Sequence, residues 1–142
     1  MRFLTSFLAV CLFILPFTVT QAQDGAKPKK KVSRVQYGTA SFYSNKFNGR
    51  KTASGEIFSQ KKMTAAHNTL PLGTYIRVTN LRNKKIVIVK VNDRLHARNK
   101  RLIDLTRAAA IQLGFIKSGL TRVKIEILGK KPPSEKQKYV SK

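Results

Sequence analysis

From Gln36 to Leu128, apolar and polar residues alternate in short runs separated by glycines and polar turns. Thr74–Thr79 places Ile76 and Val78 on one face and Tyr75, Arg77 and Thr79 on the other, the two-residue period of a half-buried strand. After the mostly polar turn Leu81-Arg82-Asn83-Lys84, the run Lys85–Val91 is apolar on both faces. The two read as a hairpin. Thr121–Leu128 alternates cleanly, with Val123, Ile125 and Ile127 inward and Arg122, Lys124 and Glu126 outward. Tyr37–Tyr43, with aromatics at Tyr37, Phe42 and Tyr43, is the predicted first strand. One segment has helical punctuation: Thr106 as N-cap, Arg107–Leu113 with its Ala108-Ala109-Ala110 run, and Gly114 as the stop. Several short strands and a single short helix predict a mainly β fold, a small barrel whose closure removes exposed sheet edges.

The ends of the chain follow other rules. Residues 1–22 open with Met1-Arg2, continue through an apolar run from Phe3 to Val19, and finish on Thr20-Gln21-Ala22. That is the pattern of a secretory signal peptide, too short and too weakly flanked for a stable span; an uncleaved membrane anchor is the alternative. Cys11, the only cysteine, lies inside this run, and the bulky Val10 before it argues against a lipoprotein cleavage box. The expected mature protein is therefore soluble, not lipidated and free of disulfides. Residues 23–35 and 130–142 are lysine- and proline-rich with little to bury, and are expected to be disordered basic tails. They read as electrostatic tethers or plain linkers. Residues 36–129 remain as one domain, long enough for one small core.

Charge narrows the partners. Lys and Arg number 29 against 6 Asp and Glu, a formal net charge of +23. Such a surface favours polyanionic surroundings, and export argues for anionic envelope polymers over nucleic acid. A solubility effect without a partner, or polyanion binding driven by charge alone, are the rival readings. Of the six acids, Asp24 and Glu135 fall in the tails and Glu126 on an outward strand face. Asp104, in Ile103-Asp104-Leu105-Thr106 just before the helix, suits its positive dipole end and reads as mainly structural. Glu56 and Asp93 have no such structural reason.

Both occur in segments rich in functional side chains: Gly49-Arg50-Lys51-Thr52-Ala53-Ser54-Gly55-Glu56, and Val91-Asn92-Asp93-Arg94 followed by Leu102-Ile103-Asp104-Leu105-Thr106. A further such segment runs from Met63 to Thr74 and contains His67. Together with Gly38-Thr39-Ala40-Ser41-Phe42-Tyr43, these four ordered motifs resemble the rare lipoprotein A family of bacterial envelope proteins, from about Tyr37 to Leu128. The resemblance implies a six-stranded double-psi β-barrel. It also implies endolytic lytic transglycosylase activity on peptidoglycan glycan strands poor in stem peptides, acting as a monomer without a cofactor. Related barrels include expansins, so a non-catalytic wall-binding module is the alternative.

The residues fit that chemistry. A lytic transglycosylase needs one carboxylic acid to protonate the glycosidic oxygen; the same group then takes the proton from the sugar's C6 hydroxyl as a 1,6-anhydro ring closes. No opposing water is required, unlike in a two-carboxylate hydrolase. Asp93, ending an apolar strand at a buried-to-open boundary, is the expected acid/base, a role the resemblance also implies. The resemblance places Glu56 and His67 in the active site too. Asn92 and Arg94 are expected to shape the cleft or touch substrate, and Tyr43 to offer a stacking face. The structural alternatives are a salt bridge between Asp93 and Arg94, a Glu56 carboxylate bonded to backbone amides, and a His67 satisfied within its loop. A strongly basic surrounding works against a protonated acid, which a close Glu56–Asp93 pair sharing a proton would offset. The family usually continues Asn-Asp-Arg with Gly-Pro and an aromatic, where this chain has Leu95-His96-Ala97-Arg98. Two histidines without thiolates or paired-histidine spacing make a poor metal set.

Overall fold

A computed structural model describes residues 34–135; the segment read as a signal peptide, nearly all of the expected basic linker and the last seven residues lie outside them. Six strands close into a barrel: β1 (Val35–Phe42), β2 (Thr64–Ala66), β3 (Tyr75–Asn80), β4 (Ile86–Asp93), β5 (Ile103–Leu105) and β6 (Thr121–Gly129). Their order around the barrel is β1-β5-β2-β4-β3-β6. Two pairings, β1 with β5 and β2 with β4, are parallel and the others antiparallel.

Alternation decides which side chains enter the barrel. Ala40, Ala65, Ile76, Val78, Val87, Val89, Val91, Ile103, Leu105, Val123 and Ile125 form the core. Ile127, expected inward, packs partly buried against it. The α-helix α1 (Arg107–Leu113) closes one end through Ala109, Ala110 and Leu113. The Thr106 hydroxyl accepts from the Ala109 amide at 3.4 Å and donates to the Lys62 carbonyl at 2.6 Å. Gly114 stops the helix in the left-handed region at φ 73°, where glycine has no side-chain penalty.

The β3–β4 hairpin, β6 and α1 lie where the sequence pattern put them. β2 and β5 are not predicted by the pattern: both fall in segments singled out only for their functional side chains. Each is only three residues long, too short to display a period, and each is stabilised by neighbours distant in sequence.

The apolar outer positions of β4 also have a cause. Ile86 and Ile88, with Met63 and Tyr75, line a groove of about 700 Å³ to which Pro132 and Pro133 contribute. A tight crossing fixes β1 against the segment before β5. A Cβ on Gly38 would sit 2.6 Å from the Leu102 Cβ.

Candidate active site

The site is built on the outside of the barrel by strand register. Ser41 pairs with Asp104, Asp104 with Ala66, and Ala66 with Asp93. Directly paired residues project to the same face, so these four form one row across β1, β5, β2 and β4. Their strand neighbours Ala40, Ala65, Val91, Ile103 and Leu105 fill the interior. Asp93 reaches this row through an irregularity: Ala65 pairs with Val91 but Ala66 with Asp93, leaving Asn92 as the extra residue. Such a bulge re-aims the side chain that follows it.

The row is roofed by a second apolar cluster of Tyr43, Phe58, Ala66 and Leu95, with Phe47 packed against it. Leu95 is therefore part of the wall of the site. Its amide donates to the Asn68 Oδ1 at 2.8 Å.

Asp93 is held on both oxygens. Oδ1 accepts the Ala53 amide at 2.9 Å and the Arg94 amide at 2.8 Å, and Oδ2 accepts the Tyr43 hydroxyl at 2.9 Å. Among the described residues no salt bridge joins Asp93 to Arg94. The Arg94 Nη1 turns instead to the His67 carbonyl at 2.6 Å.

Tyr43 is only 9% exposed, its ring enclosed edge-on by Phe47 and tilted against Phe58. The ring packs between Phe47 and Phe58, in contrast to the stacking face expected of it, and the hydroxyl reaches Asp93. Burial, and after it the negative charge of Asp93, push the hydroxyl far above the ordinary tyrosine value, so it remains a phenol. The Gln60 side chain ties the Tyr43 carbonyl to the helix start, donating to the former at 2.8 Å and accepting from the Arg107 amide at 2.8 Å.

Glu56 and His67 are brought to the same region, each with its own hydrogen-bond partners. Glu56 takes the Lys90 ammonium on Oε1 at 2.7 Å and the Asn92 Nδ2 on Oε2 at 3.2 Å. Those two bonds, Lys90 first, hold its carboxyl below the usual range. It is a paired, ionised group bonded to side chains, not to backbone amides. Among the described residues no hydrogen bond joins it to Asp93, so the shared-proton arrangement is absent.

His67 is 2% exposed. Its Nδ1 faces the Thr69 and Leu70 amides at 3.2 and 3.3 Å, so that nitrogen accepts. The hydrogen then resides on Nε2, which donates to the Gln36 Oε1 at 3.1 Å. Burial, and secondarily Arg94, push its pKa down to about 4. His67 is thus a neutral organiser of the 67–70 loop.

Asp104 is the residue that sequence reasoning undervalued. Its carboxylate accepts the Ser41 hydroxyl across the sheet, while Thr106 supplies the helix cap. Asp104 is thus tied into the Asp93 row, a contact beyond the helix-start role read from the sequence. Its charge also acts on the Tyr43 hydroxyl. The available signal was the alternation Ile103-Asp104-Leu105, apolar on either side of the acid. Among the described residues no three His, Cys, Asp or Glu side chains converge as a metal set.

Comparison with known proteins places this geometry. A family model described as lytic transglycolase matches residues 35–125. The chain belongs to this family. The match spans every strand bearing the site, and the family's double-psi barrel is the closed six-stranded fold seen here.

Among curated members, the endolytic peptidoglycan transglycosylase RlpA of Pasteurella multocida is 56% identical over 91 residues, covering 64% of this chain. This chain spans only 31% of the length of that relative. Among solved structures, an expansin from Clavibacter michiganensis superposes with a TM-score of 0.57 at 21% identity, over 70% of this chain and 52% of the expansin. A Streptomyces papain inhibitor superposes at 0.55 with 19% identity, over 68% of this chain and 96% of the inhibitor. These two likenesses concern the barrel alone.

Proposed function

We propose that the domain is an endolytic lytic transglycosylase acting on peptidoglycan glycan strands poor in stem peptides, with Asp93 as its acid/base. The observation that carries this reading is one carboxylate re-aimed by a bulge onto the outer row and fixed by two amides and the Tyr43 hydroxyl. Both amides occupy Oδ1 and cannot reverse. Oδ2 meets only a hydroxyl, which can turn, so Oδ2 is the oxygen that carries the working proton.

In the first step that proton passes to the glycosidic oxygen and the C1–O bond breaks, leaving oxocarbenium character on the ring. The C6 hydroxyl then attacks C1, closing the 1,6-anhydro ring, and returns its proton to Oδ2. Atoms and charge balance without water. Asp104, in the same row, supplies negative charge toward the cationic ring. Arg94 and Asn92 shape the cleft through the His67 carbonyl and Glu56, while His67 orders its loop. The identity to relatives named as endolytic peptidoglycan transglycosylases supports the substrate class. The signal-like start supports export to the periplasm.

Mass analysis of products from purified glycan strands tests this. The expected result is 1,6-anhydromuramic ends from the wild type and loss of at least about a hundredfold in rate for Asp93→Asn, the scale of a missing general acid. Glycan that is bound but never cleaved would favour a wall-binding module of the expansin kind. Activity that survives Asp93→Asn and vanishes in Asp104→Asn would overturn the assignment of the acid.

A further inference from the structure

Lys90 is the only cation within β4, in an otherwise apolar run from Ile86 to Val91. It faces outward opposite Thr64 of β2 and Tyr75 of β3. Its side chain is 31% exposed, its ammonium lies 2.7 Å from the Glu56 Oε1, and it also borders the groove lined by Met63, Tyr75 and Ile88.

What this contact holds is the 52–56 turn. The Asn92 carbonyl accepts the Ser54 amide at 3.0 Å, and the Asn92 side chain reaches the Glu56 Oε2 at 3.2 Å. Within the turn, the Glu56 carbonyl accepts the Thr52 amide at 2.8 Å, and Gly55 supplies the positive φ of 85° that reverses the chain. The second residue of the turn is Ala53, whose amide donates to the Asp93 Oδ1 at 2.9 Å. Ala53 is exposed and has no packing of its own to keep the amide there. The turn is fastened to β4 through Asn92 and Lys90, on the strand that ends in Asp93.

We propose that Lys90 is a positioning residue: with Asn92 it latches Glu56 onto β4, and the latched turn sets the Ala53 amide on Asp93. Glu56 then serves as the anionic half of a latch, without taking part in proton transfer. The ammonium is needed because Asn92 alone offers a single neutral bond, whereas a charge-assisted one is about twice as strong. This assignment rests on Asp93 being the working acid, but the latch itself is a property of the fold that can be read without turnover.

The test uses the mature protein and Lys90→Met, which keeps an unbranched apolar stem while removing the charge, alongside Lys90→Arg. Amide hydrogen exchange is followed at Ala53, at Ser54 and at Ile125 in the core. In Lys90→Met, exchange at Ala53 and Ser54 is expected to rise at least about tenfold while Ile125 is unchanged, as in a local opening. Lys90→Arg is expected to restore protection. Where glycan turnover is measured, kcat falls about tenfold to a hundredfold with KM nearly constant, the signature of a displaced catalytic group. Glu56→Gln combined with Lys90→Met should be no worse than either alone, because both remove the same latch. Unchanged Ala53 exchange in Lys90→Met overturns the latch. An inactive wild type with the expected exchange pattern overturns only the catalytic reading.

Discussion

His67 gives the barrel a measurable weakness to acid. The ring is neutral, its Nδ1 committed to the Thr69 and Leu70 amides and its Nε2 to Gln36. Protonation would place a hydrogen on Nδ1 against two donors and bury a charge beside Arg94. The unfolded chain has no such objection and takes up the proton near the ordinary histidine value of about 6.5. Below that pH the unfolded state binds more protons than the folded one, so stability is complete above about 6.5 and declines as pH falls toward 4. Each unit of difference is worth about 1.4 kcal/mol, so lowering pH from 7 to 4.5 costs about 2.5 kcal/mol at this one residue. For a domain of this size that lowers Tm by about 10–20 °C. Glu56, whose carboxyl is depressed, loses its contribution only as pH falls further, so the higher window belongs to His67. The assay is thermal unfolding by circular dichroism at intervals from pH 7.5 to 4.5, for the wild type and for His67→Asn. Asparagine retains an acceptor near the Nδ1 position but cannot be protonated. It lowers Tm overall through the lost Gln36 contact, yet its Tm should be nearly flat where the wild type falls. Parallel slopes for the two proteins would refute the reasoning.

Three further outcomes follow from named contacts. Gly38→Ala places a methyl 2.6 Å from the Leu102 Cβ and 2.9 Å from its Cδ2; overpacking at such a crossing costs about 1–3 kcal/mol, read from denaturant midpoints. Tyr43→Phe removes the hydroxyl from the Asp93 Oδ2 while the ring stays packed on Phe58. It should lower kcat about tenfold, the worth of one hydrogen bond to a charged group, with KM nearly unchanged. Thr106→Ala strips the helix cap and leaves the Lys62 carbonyl without its hydroxyl; a loss of about 1–2 kcal/mol is expected in thermal melts.

What could be read from the sequence was what is local. The β3–β4 hairpin and β6 are long enough for alternation to show, and Thr106 and Gly114 punctuate α1 by their own side-chain chemistry. β2 and β5 carry no such signature, because three residues have no period and their partners lie far along the chain. The same division runs through the site. Asp93 was legible as the end of a strand with an unusual acid. The contact of Asp104 with Ser41 was not legible, because the helix adjoins Asp104 in sequence whereas Ser41 lies far along the chain. Lys90 passed unnoticed as an interruption in an apolar strand, since only the fold brings Glu56 to it.

The four-strand row has a kinetic meaning as well. Ser41, Asp104, Ala66 and Asp93 are drawn from β1, β5, β2 and β4, and two of those strands are three-residue pieces held by non-local pairing. Loop closure must precede such pairings in folding. The hairpin of β3 and β4 can assemble early, but the carboxylates meet only when β2 and β5 slot between β1 and β4. A partly folded chain therefore holds the four side chains of the row apart. On the proposed function, completion of the barrel is the event that assembles the catalytic row.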